Sequence, residues 1–271
     1  IFGFAKIVIL INFFGTNSFT DALILVTSIF WFWSNLVVKS LSTASIVPKF
    51  GNATKPNQVL LASDTIKSLN ILSVLLLLLI FLYPEAIFKV FVPFASSEFL
   101  DYSTYLIKIM APIVFFIAVT ETFTLVNQYN SRMYVGSSNT IIINLAQASA
   151  ILFAVIHSPQ PHVALQIYGF ATLVAYIITS LIQISFASGL RMIILKNIFS
   201  FDFSRTKYLM SNYYFFLLSA LLAQINIYVD MAFISSLDSG SISKYNIIIK
   251  LPELGQSLLV RSEEHTSELQ S

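Results

Sequence analysis

Apolar residues in this chain lie in long blocks separated by short polar breaks. Ile71–Tyr83, ILSVLLLLLIFLY, carries no charge at all. Each Leu, Ile or Phe favours insertion by roughly 0.3 to 0.6 kcal/mol at the centre of a membrane helix, so the block inserts even with Lys67 and Glu85 at its edges. A spanning helix needs about 20 mainly apolar residues, and the blocks predict about eight spans. They fall at Ile1–Phe14, Asp21–Pro48, within Gln58–Tyr83, Leu106–Val126 with a kink at Pro112, Thr140–Ile156, Val163–Phe186, Met210–Ile234 and from Ile247 to Val260. Pro84–Tyr105 reads as a connector whose EAIFKVFVPF stretch lies in the membrane interface, and Gly189–Lys207 as a basic connector. One buried soluble helix explains a single block but not seven or eight of them.

Composition supports the same class. Hydrophobic residues make up 56% of the chain and charged residues 10%, with a mean hydropathy of +0.81. Soluble chains carry roughly a quarter charged residues. The expected fold class is an all-α polytopic membrane protein with no soluble domain. Absence of cysteine excludes disulfides, thiolate metal sites and Cys nucleophiles. A net charge of +2 without a dense basic run speaks against nucleic acid.

Connector charges set the orientation. Lys49, Lys55, Arg132, Arg191, Lys196, Arg205 and Lys207 follow even-numbered spans, whereas only Lys89 and Lys244 follow odd-numbered ones. By the positive-inside rule the even loops and the N-terminal side are cytoplasmic. The chain begins at Ile1 inside an apolar stretch, so the native start is expected upstream. Arg261–Ser271, RSEEHTSELQS, breaks off an apolar helix abruptly and back-translates to a sequencing-adapter sequence. It is read as an artefact, and its Glu263, Glu264, His265 and Glu268 are set aside.

A short internal echo joins the two ends. Thr16–Thr20 links spans one and two, and Ser239–Ser243 links spans seven and eight, both small-residue turns on the same side. Six spans separate them, as two parallel six-helix repeats require.

Ionisable groups within a bilayer cost about 2.5 to 3.5 kcal/mol and usually face a cavity or a partner. Candidates are Lys6, Asp21, Lys39, Glu121, Asp230 and the Lys250–Glu253 pair. Asn226 and Asp230 share a helix face, as do Asn144 and Gln147. Lys6 and Asp230 are read as functional, because an unpaired charge costs more than glue returns. Asn144, Gln147 and Gln183 are read as interhelical glue, where such bonds contribute roughly 0.6 to 2 kcal/mol. Lys39 and Glu121 stand near span ends, and both readings remain open for them. His157 and His162 sit in a Pro-rich turn without a third ligand, so no metal site is expected. No phosphate-cradling Gly-rich loop or nucleophile elbow is present. Neither an enzyme nor a cofactor is expected.

Three stretches resemble the MurJ/MviN lipid II flippases of the MOP (multidrug/oligosaccharidyl-lipid/polysaccharide) exporter superfamily. Gly3-Phe4-Ala5-Lys6, Phe14-Gly15, Thr20-Asp21-Ala22 and Val47-Pro48 are similar to the family's GFAR…FG…TDA…VP pattern. Val126–Arg132 through Asn144 resembles its LN…R…N segment, without the prolines. Gln224-Ile225-Asn226, Val229-Asp230, Gly240–Ser243 and Leu251-Pro252 resemble its Q-I-N…V-D…GS-[VI]-S…LP run. The resemblance covers Ile1–Val260. It implies a first six-helix lobe over 1–186, a connector over 187–207 and the start of a second lobe over 208–260.

The implied function is movement of a polyprenyl-pyrophosphate-linked sugar, lipid II by default, across the bacterial cytoplasmic membrane by alternating access, as a monomer. By position, Lys6 replaces the family's cavity Arg, and Asp21 is the carboxylate of its TDA motif. Asp21, Lys6, Asn226 and Asp230 are the expected cavity residues, with Lys39, Glu121 and Lys250 as further candidates. Departures are clear: the family's cationic pair in span two falls on Ser34 and Asn35, its acidic position on Lys39, and its span-eight Arg within Ile247–Ile249. Alternatives are an O-antigen or exopolysaccharide carrier flippase, a membrane polymerase, and a transport-dead scaffold.

Overall fold

A computed structural model describes residues 2–40, 54–157, 160–187, 194, 218–219, 221–222 and 229–252. Among them all regular structure is helical. The elements are α1 (Phe2–Phe14), α2 (Ser18–Phe32), α3 (Lys55–Leu82), α4 (Pro84–Phe91), α5 (Ser97–Met110), α6 (Ile113–Tyr129), α7 (Met133–His157) and α8 (Pro161–Phe186). A helical stretch over 229–234 (α9) and another over 241–252 (α10) follow. The basic connector expected over 189–207, most of span seven, and the polar tail lie largely or wholly outside the described residues.

Four of these helices are long and apolar enough to cross a membrane, or five when the bent pair α5–α6 counts as one span, while α1 is a shorter apolar helix. At 1.5 Å per residue α3 is about 42 Å long, enough to cross the hydrocarbon with some tilt. Leu75, Leu78, Leu79, Phe81 and Leu82 stand exposed along it, an apolar surface suited to lipid. Its other half, residues 62–69, is buried all round.

Pro112 does what its ring dictates. Without an N–H it cannot continue the helical ladder, and α5 and α6 meet there at 54°. The Val114 and Phe115 amides bond three residues back, to Ala111 and Pro112. Part of the expected Pro84–Tyr105 connector is helical too, because α5 already begins at Ser97, capped by Ser96. In α4, Phe88 is buried while Glu85 and Lys89 pair on the exposed side at 3.7 Å.

Helix α7 starts at Met133, seven residues before the expected span at Thr140. The intervening Gly136, Ser137, Ser138 and Asn139 look too polar for a span, yet the fold uses them. Asn139 donates to Thr124 at 3.2 Å and accepts from Gln183 at 2.9 Å. A Cβ at Gly136 would meet the Thr124 methyl at 2.8 Å, so glycine permits this close approach of α6 and α7. The core is continuous through α2, α5, α6 and α8, with Phe30, Leu106, Met110, Val114 and Leu165 fully buried.

Candidate functional site

Helix α2 opens with a capping box. Asn17 Oδ1 accepts from the Thr20 amide at 3.1 Å, and Thr20 Oγ1 accepts from the Asn17 amide at 2.9 Å. Gly15, at φ +74°, turns the chain out of α1. This compact start places Asp21 in the first turn with its carboxylate free to reach elsewhere.

It reaches the N-terminus of α10. Asp21 Oδ2 accepts from the Gly240 amide at 2.7 Å, and Oδ1 accepts from the Ser243 amide at 2.8 Å and from the Ser243 hydroxyl. The first amides of a helix lack intrahelical partners and carry the positive end of its dipole. A carboxylate more than 200 residues away in sequence therefore caps α10. Ser18 and Ser239 hydroxyls meet at 3.0 Å, and the Ser243 hydroxyl oxygen lies 3.1 Å from that of Thr20. The two turns that echo one another in sequence are thus in direct contact, forming a polar seam between α2 and α10.

One end of α1 and one end of α10 adjoin this seam. Lys6 lies nine residues from Gly15 and Lys250 ten from Gly240, about 14 to 15 Å along their own helices. Lys250 is near enough for its charge to act on Lys6. The Lys6 ammonium donates to Gln147 Oε1 of α7 at 2.7 Å. Asp230 accepts from the Tyr245 hydroxyl at 2.6 Å, joining α9 to α10 nearer the seam. Asn226 lies outside the described residues.

Residues 33–39 form a π-helix continuing α2. Such wide turns are uncommon and recur at functional sites. Here Ser34 donates to Glu121 of α6 at 3.2 Å, and Lys39 donates to Asn35 at 3.0 Å while its charge acts on Glu121. Lys39 and Glu121, separate candidates in the sequence, therefore belong to one cluster on the first lobe, away from the seam.

Among the polar residues read as glue, Gln183 is buried with Asn127, Asn139 and the Val135 carbonyl within 2.8 to 2.9 Å. Asn144 bonds its own helix at Thr140. His162 approaches Asp101 at 3.4 Å at an exposed position. Among the described residues no group of His, Asp and Glu could hold a metal. Sequence reasoning missed a buried ion pair. Lys67, read as the edge of an apolar block, and Asp64, which was not singled out, are buried in α3 and paired at 3.0 Å. Their three-residue spacing was the available signal.

A bundle of apolar helices, with α2 joined through a polar seam to α10, defines a MOP-type membrane transporter fold. The family model described as lipid II flippase MurJ matches residues 10–262, and the chain belongs to that family. It is similar to the solved structure "Lipid II flippase MurJ, inward closed conformation", with a TM-score of 0.76 and 18% sequence identity over 93% of this chain and 52% of that one. The chain therefore spans about half the length of that protein. No curated protein matches it by sequence.

Proposed function

We propose that this chain carries the first lobe of a lipid II flippase, moving a polyprenyl-diphosphate-linked sugar across the bacterial cytoplasmic membrane. One observation carries the reading beyond the family match. The Asp21 carboxylate of α2 caps α10 through the Gly240 and Ser243 amides, and beyond that closure the Lys6 ammonium is held at Gln147. A lysine in a low-dielectric interior calls for an anion, and a diphosphate supplies one.

The seam then acts as the gate on the outer side. With Asp21 capping α10, the lobes are held together at that end, and the cations lie beyond the closure. This suits a conformation closed to the outside, and opening requires Asp21 to release both amides. Orientation follows the connector charges, with the N-terminal side cytoplasmic and α4 along the outer interface. The protein acts as a monomer.

The test is reconstitution of a chain that includes the second lobe into vesicles, with cargo accessibility read in each leaflet. Lys6→Ala and Asp21→Ala are each expected to abolish transfer. Transfer at the unaltered rate in both variants would reject these roles.

A further inference from the structure

Gln147 sits in the interior of α7 with 1% of its surface exposed, a buried amide that sequence pattern assigns to glue. Its neighbours determine which way round it lies. Thr172 of α8, fully buried, donates its single hydroxyl proton to the Tyr168 carbonyl at 2.8 Å. A hydroxyl has one proton to give, so towards Gln147 Thr172 can only accept. It accepts from Gln147 Nε2 at 3.4 Å, which turns Oε1 of the same amide to Lys6 at 2.7 Å. The order Tyr168 carbonyl, Thr172, Gln147, Lys6 is a directed chain with one consistent polarity.

We propose that Gln147 is a positioning residue that holds the Lys6 ammonium in place without neutralising it, so that its charge remains available to a diphosphate. This rests on the reading of Lys6 as a cargo-binding cation. A neutral amide is the side chain that does both jobs. A carboxylate at this position would hold Lys6 as firmly but cancel its charge, and an apolar residue would leave the long lysine unguided. Among the described residues no carboxylate pairs with Lys6, in contrast to Lys67 and Lys89, whose partners are Asp64 and Glu85. Lys6 itself is part-exposed. Thr172 acts one step further back, as the group that keeps the amide from turning over.

The experiment measures binding of farnesyl diphosphate to the purified full-length protein in detergent by calorimetry, alongside the thermal unfolding midpoint. The unaltered protein binds, and Lys6→Ala lowers affinity about tenfold or more, the size of a charge-assisted hydrogen bond. Gln147→Glu lowers affinity as much as Lys6→Ala while leaving the midpoint unchanged or higher. Gln147→Met lowers it less. Thr172→Val weakens binding about threefold, and Thr172→Ser restores it. Packing alone predicts the reverse order, with Gln147→Glu close to normal and Gln147→Met impaired in proportion to its midpoint. That order, or full binding by Gln147→Glu when Lys6→Ala has lost it, overturns the positioning role and leaves Lys6 standing. Unchanged binding in Lys6→Ala, or none in the unaltered protein, overturns the reading of Lys6 and this inference with it.

Discussion

A methyl group at Gly240 would lie 2.5 Å from the carbonyl oxygen of Thr16. The closeness of these two residues, 224 apart in the chain, measures how tightly the seam is packed. Gly240 also holds φ +90°, a conformation that costs other residues about 1 to 2 kcal/mol. Gly240→Ala is therefore expected to incur both strain and collision, and to lower the thermal midpoint markedly. Gly15→Ala is the matched control, since φ is +74° but nothing lies within 4 Å of the added carbon. Equal midpoints for the two variants would show that the seam adjusts freely.

Removing the cap should loosen the same seam. Asp21→Ala leaves the Gly240 and Ser243 amides without their acceptor. An unsatisfied buried donor costs about 1 to 3 kcal/mol, a shift of about 5- to 150-fold in a two-state closure. Ile242, 3% exposed beside the latch, provides the reporter. A cysteine there should react with an impermeant thiol reagent faster in Asp21→Ala than in the parent, and at an intermediate rate in Asp21→Asn, which keeps one acceptor oxygen. Identical rates would mean that the carboxylate does not hold the lobes together.

The buried Asp64–Lys67 pair should show the asymmetry of charges in low dielectric. Losing one partner strands the other, at about 3 to 5 kcal/mol. Lys67→Met and Asp64→Leu are each expected to destabilise strongly, and the double variant to recover most of the loss. A thermal double-mutant cycle in detergent measures the coupling; additive losses would show that the two charges are independent.

Gln183 offers a comparison with Gln147. Its amide joins Asn127, Asn139 and the Val135 carbonyl, with no charged group in the set. Gln183→Leu should cost about 1 to 2 kcal/mol of stability and leave farnesyl diphosphate affinity unchanged. A drop in affinity without a drop in midpoint would place Gln183 among the cargo-handling residues instead.

The stretches that became α3, α7 and α8 were legible as spans because insertion into lipid is close to a sum over neighbouring residues, and a run such as Ile71–Tyr83 states that sum openly. The kink at Pro112 was equally local, following from one missing N–H. The paired turns at Thr16–Thr20 and Ser239–Ser243 were visible as an echo, since repeats leave like residues at like positions. None of this told what a polar side chain touches. Nothing along the chain says that Asp21 meets the amides of Gly240 and Ser243, or that Gln147 bonds both Thr172 and Lys6. Hydropathy accumulates along the chain, whereas a hydrogen bond is decided across it. Partners 141 and 222 residues apart meet only once the helices have packed.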